Sequence, residues 1–208
     1  MERDNGLARY SDGDRSNHWL VVICFFVVGL TGLAFFHPSM YFLTHLFGGG
    51  PWARILHPFF GVAMFLLFIG MMIRFWGHNR MNDSDREWLK RWRDVMANRE
   101  EGVPEPGRYN AGQKVIFWIM VTCMLVLLAT GVVFWRPYFA DAFSITAIRV
   151  ATLLHAIAAV VLIVSMIVHV YAAFWVKGAL RGMMRGTVAR GWARKHHGAW
   201  YKEVTGSK

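Results

Sequence analysis

Two histidines, His155 and His169, stand fourteen residues apart in LLHAIAAVVLIVSMIVHVYAAFW, a stretch otherwise suited to lipid. His18 and His57 also sit at or inside the boundary of an apolar run. An imidazole can bind a metal through one nitrogen, pass a proton, or bond a neighbouring helix. Within a membrane such a group is costly to keep, and its default meaning is functional. The other five of the nine histidines, His37, His45, His78, His196 and His197, fall in connections or the tail and read as solvated or interfacial side chains.

The elements that must position these residues are long. The 208-residue chain is 55% hydrophobic. Four runs, residues 19–36, 56–75, 115–135 and 150–175, each reach the length of a bilayer-spanning helix. Barrel strands are shorter, and lipid forces the backbone of a single span to pair within itself, so the fold class is all-α. The first run lacks a Lys/Arg-rich lead and a small-residue cleavage site, so it reads as a retained helix.

The net charge of +10 is unevenly spread: residues 1–18 carry three Lys or Arg, residues 74–114 carry nine and residues 177–208 carry eight, leaving only Arg54, Arg136 and Arg149 elsewhere. By the positive-inside rule both termini and the middle connection face the cytoplasm. Topology and anionic lipid explain the charge better than nucleic acid does. Cys24 and Cys123 lie at membrane depth, and no Cys-x-x-Cys-His motif or cysteine cluster offers covalent haem attachment or an iron–sulfur site.

Along the chain, Asn17 fits an N-cap for the first helix. Ser84 and Glu87 fit a capping box opening an amphipathic helix over SDREWLKRWRDVMANREE, with Trp88, Trp92, Val95 and Met96 on one stripe at the inner interface. The basic tail, with Leu180, Met183, Met184, Val188 and Trp192 interspersed, lies on the membrane or folds back under the bundle. The expectation is one membrane domain over 1–208: a four-helix transmembrane bundle with cytoplasmic termini and an interfacial helix between the second and third spans.

On that plan the four deep histidines sort by depth. Fourteen helical residues rise roughly 21 Å and leave about 40° of azimuth, so His155 and His169 share a face at opposite leaflets. His57 starts the second span outside, level with His155. His18 starts the first span inside, level with His169. Imidazoles facing in twos from different helices, without a carboxylate, suit the two axial positions of a haem iron. Zinc wants three or four clustered ligands. A proton relay is the rival, but it would usually include Asp or Glu at depth, and none of the four runs holds one. Gly32, fourteen residues after His18, reads equally as room for a macrocycle or as ordinary small-residue packing.

The stretches RSNHW, ARILHPFFGVAMF, GRYNAGQKVIFW, WRPYFADAFSI and LLHAIAAV…VHVYAAFWVKG resemble the cytochrome b (gamma) subunit of membrane-bound respiratory formate dehydrogenases over nearly the whole chain. Four-helix cytochromes of hydrogenases and thiosulfate reductases are similar in plan; GRYNAGQK and WRPYFA favour formate dehydrogenase. The amino-terminal arm is the least family-like part.

The resemblance implies two b haems, on His57 with His155 and on His18 with His169. It implies an iron–sulfur (beta) subunit and a molybdenum- or tungsten-containing formate-oxidising (alpha) subunit on the periplasmic side of a bacterial inner membrane, in a higher-order assembly of heterotrimers. Electrons would pass to menaquinone or ubiquinone near the cytoplasm, and this chain would not itself oxidise formate. A quinone site beside the inner haem would use Asn110, Gly112, Gln113 and His169, although Asn110 and Gln113 also fit a capping box. Arg54 and Arg149 suit either haem propionates or the interface. The alternatives are a hydrogenase cytochrome b and a haem-free anchor or proton conduit.

Overall fold

A computed structural model describes residues 6–97, 99 and 101–207. Four helices are long and apolar enough to cross a membrane: α1 (Asp12–Phe36), α2 (Gly50–Phe75), and, after the short helices α3 (Asp83–Lys90) and α4 (Trp92–Met96), α5 (Ala111–Val133) and α6 (Ile145–Trp175). The chain is an all-α four-helix membrane protein. Its residues divide into two compact units.

The first unit comprises Ser16–Ile73 and Ile119–Ile167, and holds most of the long helices. Its buried positions are rich in small or slim side chains, among them Cys24, Thr31, Ala34, Ala53, Thr130, Ala151, Ala158 and Ser165. Leu20, Ile23, Phe26, Leu66, Leu153, Ile157 and Val164 face outward. Small residues inside and large ones outside is what lipid selects, because helices gain contact there by close approach rather than by escaping water. On α6 the buried residues Ala151, Ala158, Leu162 and Ser165 mark one stripe, and His155 and His169 fall on the same four-three spacing. The helix is unbroken between the two histidines.

The turns are set by chemistry that hydropathy does not register. Beyond α1, His37 is extended and its Nδ1 accepts from the Ser39 amide at 3.3 Å, capping a short 3-10 helix, Pro38–Phe47. Gly48 and Gly49 then take φ of 80° and 96°, a left-handed geometry that side chains resist, and so turn the chain into α2. Pro51 sits in the first turn of α2, where its missing N–H costs nothing.

Three expectations are corrected by these ends. Asn17 is not a cap: α1 starts at Asp12, where Ser11 and Asp14 bond reciprocally at 3.0 and 3.2 Å, and Asn17 Nδ2 donates to the Leu67 carbonyl at 3.0 Å. The capping box of α3 is Asn82 with Asp85, both bonds 2.9 Å, not Ser84 with Glu87. The interfacial helix is two pieces. It breaks at Arg91, whose guanidinium reaches the Glu101 carbonyl at 3.1 Å. Trp92 and Met96 remain exposed.

The second unit comprises Met1–Arg15, Arg74–Trp118 and Val168–Lys208. Two short strands, β1 (Leu7–Ala8) and β2 (Thr187–Val188), pair antiparallel and join the amino-terminal arm to the tail. The tail forms three helices, α7 (Ala179–Arg185), α8 (Arg190–His196) and α9 (Gly198–Thr205). Val188, Ala193 and Trp200 form its core, with Leu7, Trp192 and Tyr201 packed on them. Arg15 donates to the carbonyls of Met183 and Met184, closing the end of α7.

Arg9 is 5% exposed in this unit, with no carboxylate among its partners described here. Its charge is held instead by the Arg108 carbonyl at 2.6 Å and by four rings, Tyr10, Tyr109, Trp192 and Trp200, at 4.8–5.8 Å. His197 Nε2 lies 3.3 Å from the same guanidinium, and Nδ1 lies 2.8 Å from the Gly107 carbonyl. Nδ1–H therefore donates and Nε2 accepts, the neutral tautomer. His197 is thus a buried structural residue, 2% exposed, contrary to its reading as a solvated tail histidine.

Burial, and then the Arg9 charge, lower the His197 pKa to about 3. The unfolded chain binds that proton below about pH 6.5 while the fold excludes it. Stability is therefore complete above about pH 6.5 and falls toward pH 3, by up to about 1.4 kcal/mol per pH unit from this residue. Thermal melts of detergent-solubilised protein at pH 7 and 5 should show the loss. A His197→Gln variant should be less stable at pH 7 and flatter between the two values. A wild-type melt unchanged between pH 7 and 5 would exclude this account.

Candidate functional site

His57 and His155 come together in the first unit. They arrive from α2 and α6, and their ring centres are 6.2 Å apart at an interplanar angle of 58°. Metal–imidazole bonds of about 2 Å, plus about 1.1 Å from each nitrogen to its ring centre, would hold two imidazoles on one iron with their ring centres about 6.2 Å apart. Phe35 lies edge-on to His57 at 6.3 Å and Phe134 edge-on to His155 at 5.1 Å, giving an apolar surround. Among the described residues no group of three or more His, Cys, Asp or Glu could hold a metal. The donor set and spacing fit a haem between two imidazoles.

The other two helices shape this site as well, which the sequence reading missed. Thr31 of α1 places Oγ1 3.0 Å from His57 Nδ1, and Thr130 of α5 places Oγ1 3.0 Å from His155 Nδ1. A glycine follows each threonine. A Cβ on Gly32 would stand 3.1 Å from His57 Cε1, and one on Gly131 would stand 3.4 Å from His155 Cε1. Gly32 therefore leaves room for an imidazole, a use that neither reading of its spacing named. The available signal was a Thr-Gly pair in two apolar runs.

His18 lies on α1 in this unit, edge-on to Trp19 at 5.5 Å. His169, on α6, belongs to the second unit. Asn110, Gly112 and Gln113 belong to the second unit too, at the start of α5. Asn110 Oδ1 accepts from the Gln113 amide at 2.9 Å, and Gln113 Oε1 accepts from the Asn110 amide at 3.0 Å. The capping box therefore forms. It uses only the oxygens, and the Nδ2 and Nε2 donors take no part in it. A Cβ on Gly112 would meet the Trp88 ring at 3.5 Å. Lys114, directly after Gln113, is buried against Asp85 at 2.6 Å. Arg54 and Arg149 are exposed.

A family model described as prokaryotic cytochrome b561 matches residues 9–186. The chain is 46% identical over 204 residues to the cytochrome b556(Fdn) subunit of nitrate-inducible formate dehydrogenase from Escherichia coli, covering 98% of this chain and 94% of that one. It is 48% identical over 204 residues to the E. coli formate dehydrogenase cytochrome b556(fdo) subunit, covering 98% and 96%. Over 208 residues it is 42% identical to the formate dehydrogenase cytochrome b556 subunit of Haemophilus influenzae, covering 100% and 87%.

Proposed function

The chain belongs to the prokaryotic cytochrome b561 family, whose members are membrane electron carriers with haem b, and from that premise we propose that it is the quinone-reducing cytochrome b subunit of a formate dehydrogenase. The observation that carries this reading is the 6.2 Å pairing of His57 with His155. In this reading these two hold an outer haem and His18 with His169 hold an inner one. Support for the inner pair is the helix-rise argument and the stripe that carries both His155 and His169 on α6.

Haem iron supplies reversible one-electron transfer. The chain's own residues provide the rest. His57 and His155 would set the outer site near the periplasm, where an iron–sulfur subunit delivers electrons from a formate-oxidising molybdenum or tungsten subunit. At the cytoplasmic end, Asn110 and Gln113 would donate their side-chain N–H groups to a quinone carbonyl, with the backbone of Gly112 and the ring of His169 beside it. Reducing menaquinone or ubiquinone to quinol takes two electrons and two protons. Drawing those protons from the cytoplasm makes the transfer charge-separating. The Lys and Arg distribution supports this orientation in a bacterial inner membrane.

The test is a dithionite-reduced minus oxidised visible spectrum with haem extraction. Two noncovalent, low-spin b haems per chain are expected. Protein made with ample haem that shows no haem absorbance would overturn the reading and return the four histidines to proton handling or packing.

A further inference from the structure

Thr31 and Thr130 share one geometry on two different helices. Thr31 Oγ1 lies 2.6 Å from the Val27 carbonyl and 3.0 Å from His57 Nδ1. Thr130 Oγ1 lies 2.6 Å from the Val126 carbonyl and 3.0 Å from His155 Nδ1. A hydroxyl has one proton to give and two lone pairs to offer. A carbonyl only accepts, so at the shorter contact the threonine must donate. Toward the imidazole it therefore presents a lone pair, and Nδ1 must carry the hydrogen. The Val28 carbonyl also accepts from the His57 ring and the Leu127 carbonyl from the His155 ring, so hydroxyl and carbonyl share each N–H. Thr31 is 0% exposed and Thr130 8%, so water does not compete for these bonds.

The consequence falls on the other nitrogen. With Nδ1 protonated, Nε2 of both rings is bare, and only a bare nitrogen can bond iron. Gly32 and Gly131 let each ring lie against the helix that holds it, with Cε1 near the backbone. We propose that Thr31 and Thr130 are positioning residues that fix the Nδ1–H tautomer and ring orientation of His57 and His155 and raise their strength as ligands. The proposal rests on the reading that these two histidines hold a haem. All four long helices then build the outer site: α2 and α6 supply the ligands, and α1 and α5 supply the acceptors that aim them.

An acceptor on Nδ1–H pushes electron density toward Nε2 and so favours ferric over ferrous iron. Removing the hydroxyl, one of the two acceptors at each ring, should raise the outer-haem midpoint potential. The variants are Thr31→Val, Thr130→Val and the two Ser substitutions, in the purified complex. Thr152→Val serves as control, a hydroxyl on exposed α6 surface bonded to the Ile148 carbonyl.

Each Val variant should shift one haem's reduction equilibrium upward about tenfold, or about 59 mV for one electron. Haem affinity should fall about tenfold. Both Ser variants should restore wild-type values, and Thr152→Val should leave them unchanged. Thr31 and Thr130 are tested independently, so failure of one variant to accumulate leaves the other informative. Val variants with wild-type potentials and ligand spectra, while His57→Ala loses a haem, would overturn this inference alone. A His57→Ala variant that keeps full haem content would overturn the reading beneath it.

Discussion

His57→Ala should lose one haem per chain and nearly all formate-dependent quinone reduction, while His37→Ala should lose neither. The argument is one of coordination and distance. His57 stands 6.2 Å from His155, centre to centre, with Thr31 Oγ1 3.0 Å from its Nδ1 and Gly32 against its Cε1. On the proposed reading, His57 would be one of two imidazoles holding the outer haem, and its loss would leave His155 alone. A single imidazole would hold a noncovalent macrocycle far less tightly than two. His37 is exposed in a cap with Ser39 and has no partner of this kind among its described contacts.

The contrast with His18→Ala is equally specific. Along α6, the fourteen residues from His155 to His169 rise roughly 21 Å, so the inner site is separate and the outer haem should survive. In that variant the outer haem should still be reduced by formate, with electrons halted before quinone. The measurement is haem per chain by extraction, together with the fraction reduced by formate against that reduced by dithionite. Full haem and full quinone reduction in either variant would show that the pairing is wrong.

Much of the plan was legible in the sequence because lipid imposes a simple grammar. The carboxyl ends of three spans, Phe36, Phe75 and Trp175, are where the apolar runs stop. The amino ends begin four to seven residues earlier than expected, at Asp12, Gly50, Ala111 and Ile145. Helix starts recruit polar residues as caps, and hydropathy cannot see a turn of helix made of Asp12, Asp14 and Arg15. The deep histidines were legible because water is absent there and each imidazole demands a reason.

What stayed hidden depends on partners far along the chain. His197 is buried because Arg9 and Gly107, 188 and 90 residues away, close around it. No local pattern separates it from its neighbour His196. Thr31 and Thr130 were passed over because a threonine in a membrane helix usually spends its hydroxyl on its own backbone. These two do so as well, and the lone pair left over is the functional part. Asn82 was missed as the cap of α3 for a different reason. Ser84 with Glu87 has the same local spacing as Asn82 with Asp85, and the second box is the one that forms, with Lys114, 29 residues later, bonding Asp85 as well.

That pair carries the other large expected effect. Lys114 and Asp85 meet at 2.6 Å with side chains 8% and 9% exposed. A buried pair gains little over an apolar one, because both charges lose hydration, yet breaking it strands a charge without water. Lys114→Met should therefore destabilise the protein by about 3–5 kcal/mol. Among its described side-chain contacts, Asp85 would keep the cap bond from the Asn82 amide. The double variant Lys114→Met with Asp85→Asn removes both charges and still lets residue 85 accept from Asn82. It should recover most of the loss, and the non-additivity is the coupling between the two sites. Detergent-phase thermal melts of the four proteins measure it. Lys114 directly follows Gln113, and Asp85 lies on α3, so the pair also holds the start of α5 where the quinone contact is proposed. Lys114→Met should accordingly raise the apparent KM for quinone, while the double variant restores it. Additive melts would mean that the two charges are independently solvated and that α5 is held by its Asn110–Gln113 cap alone.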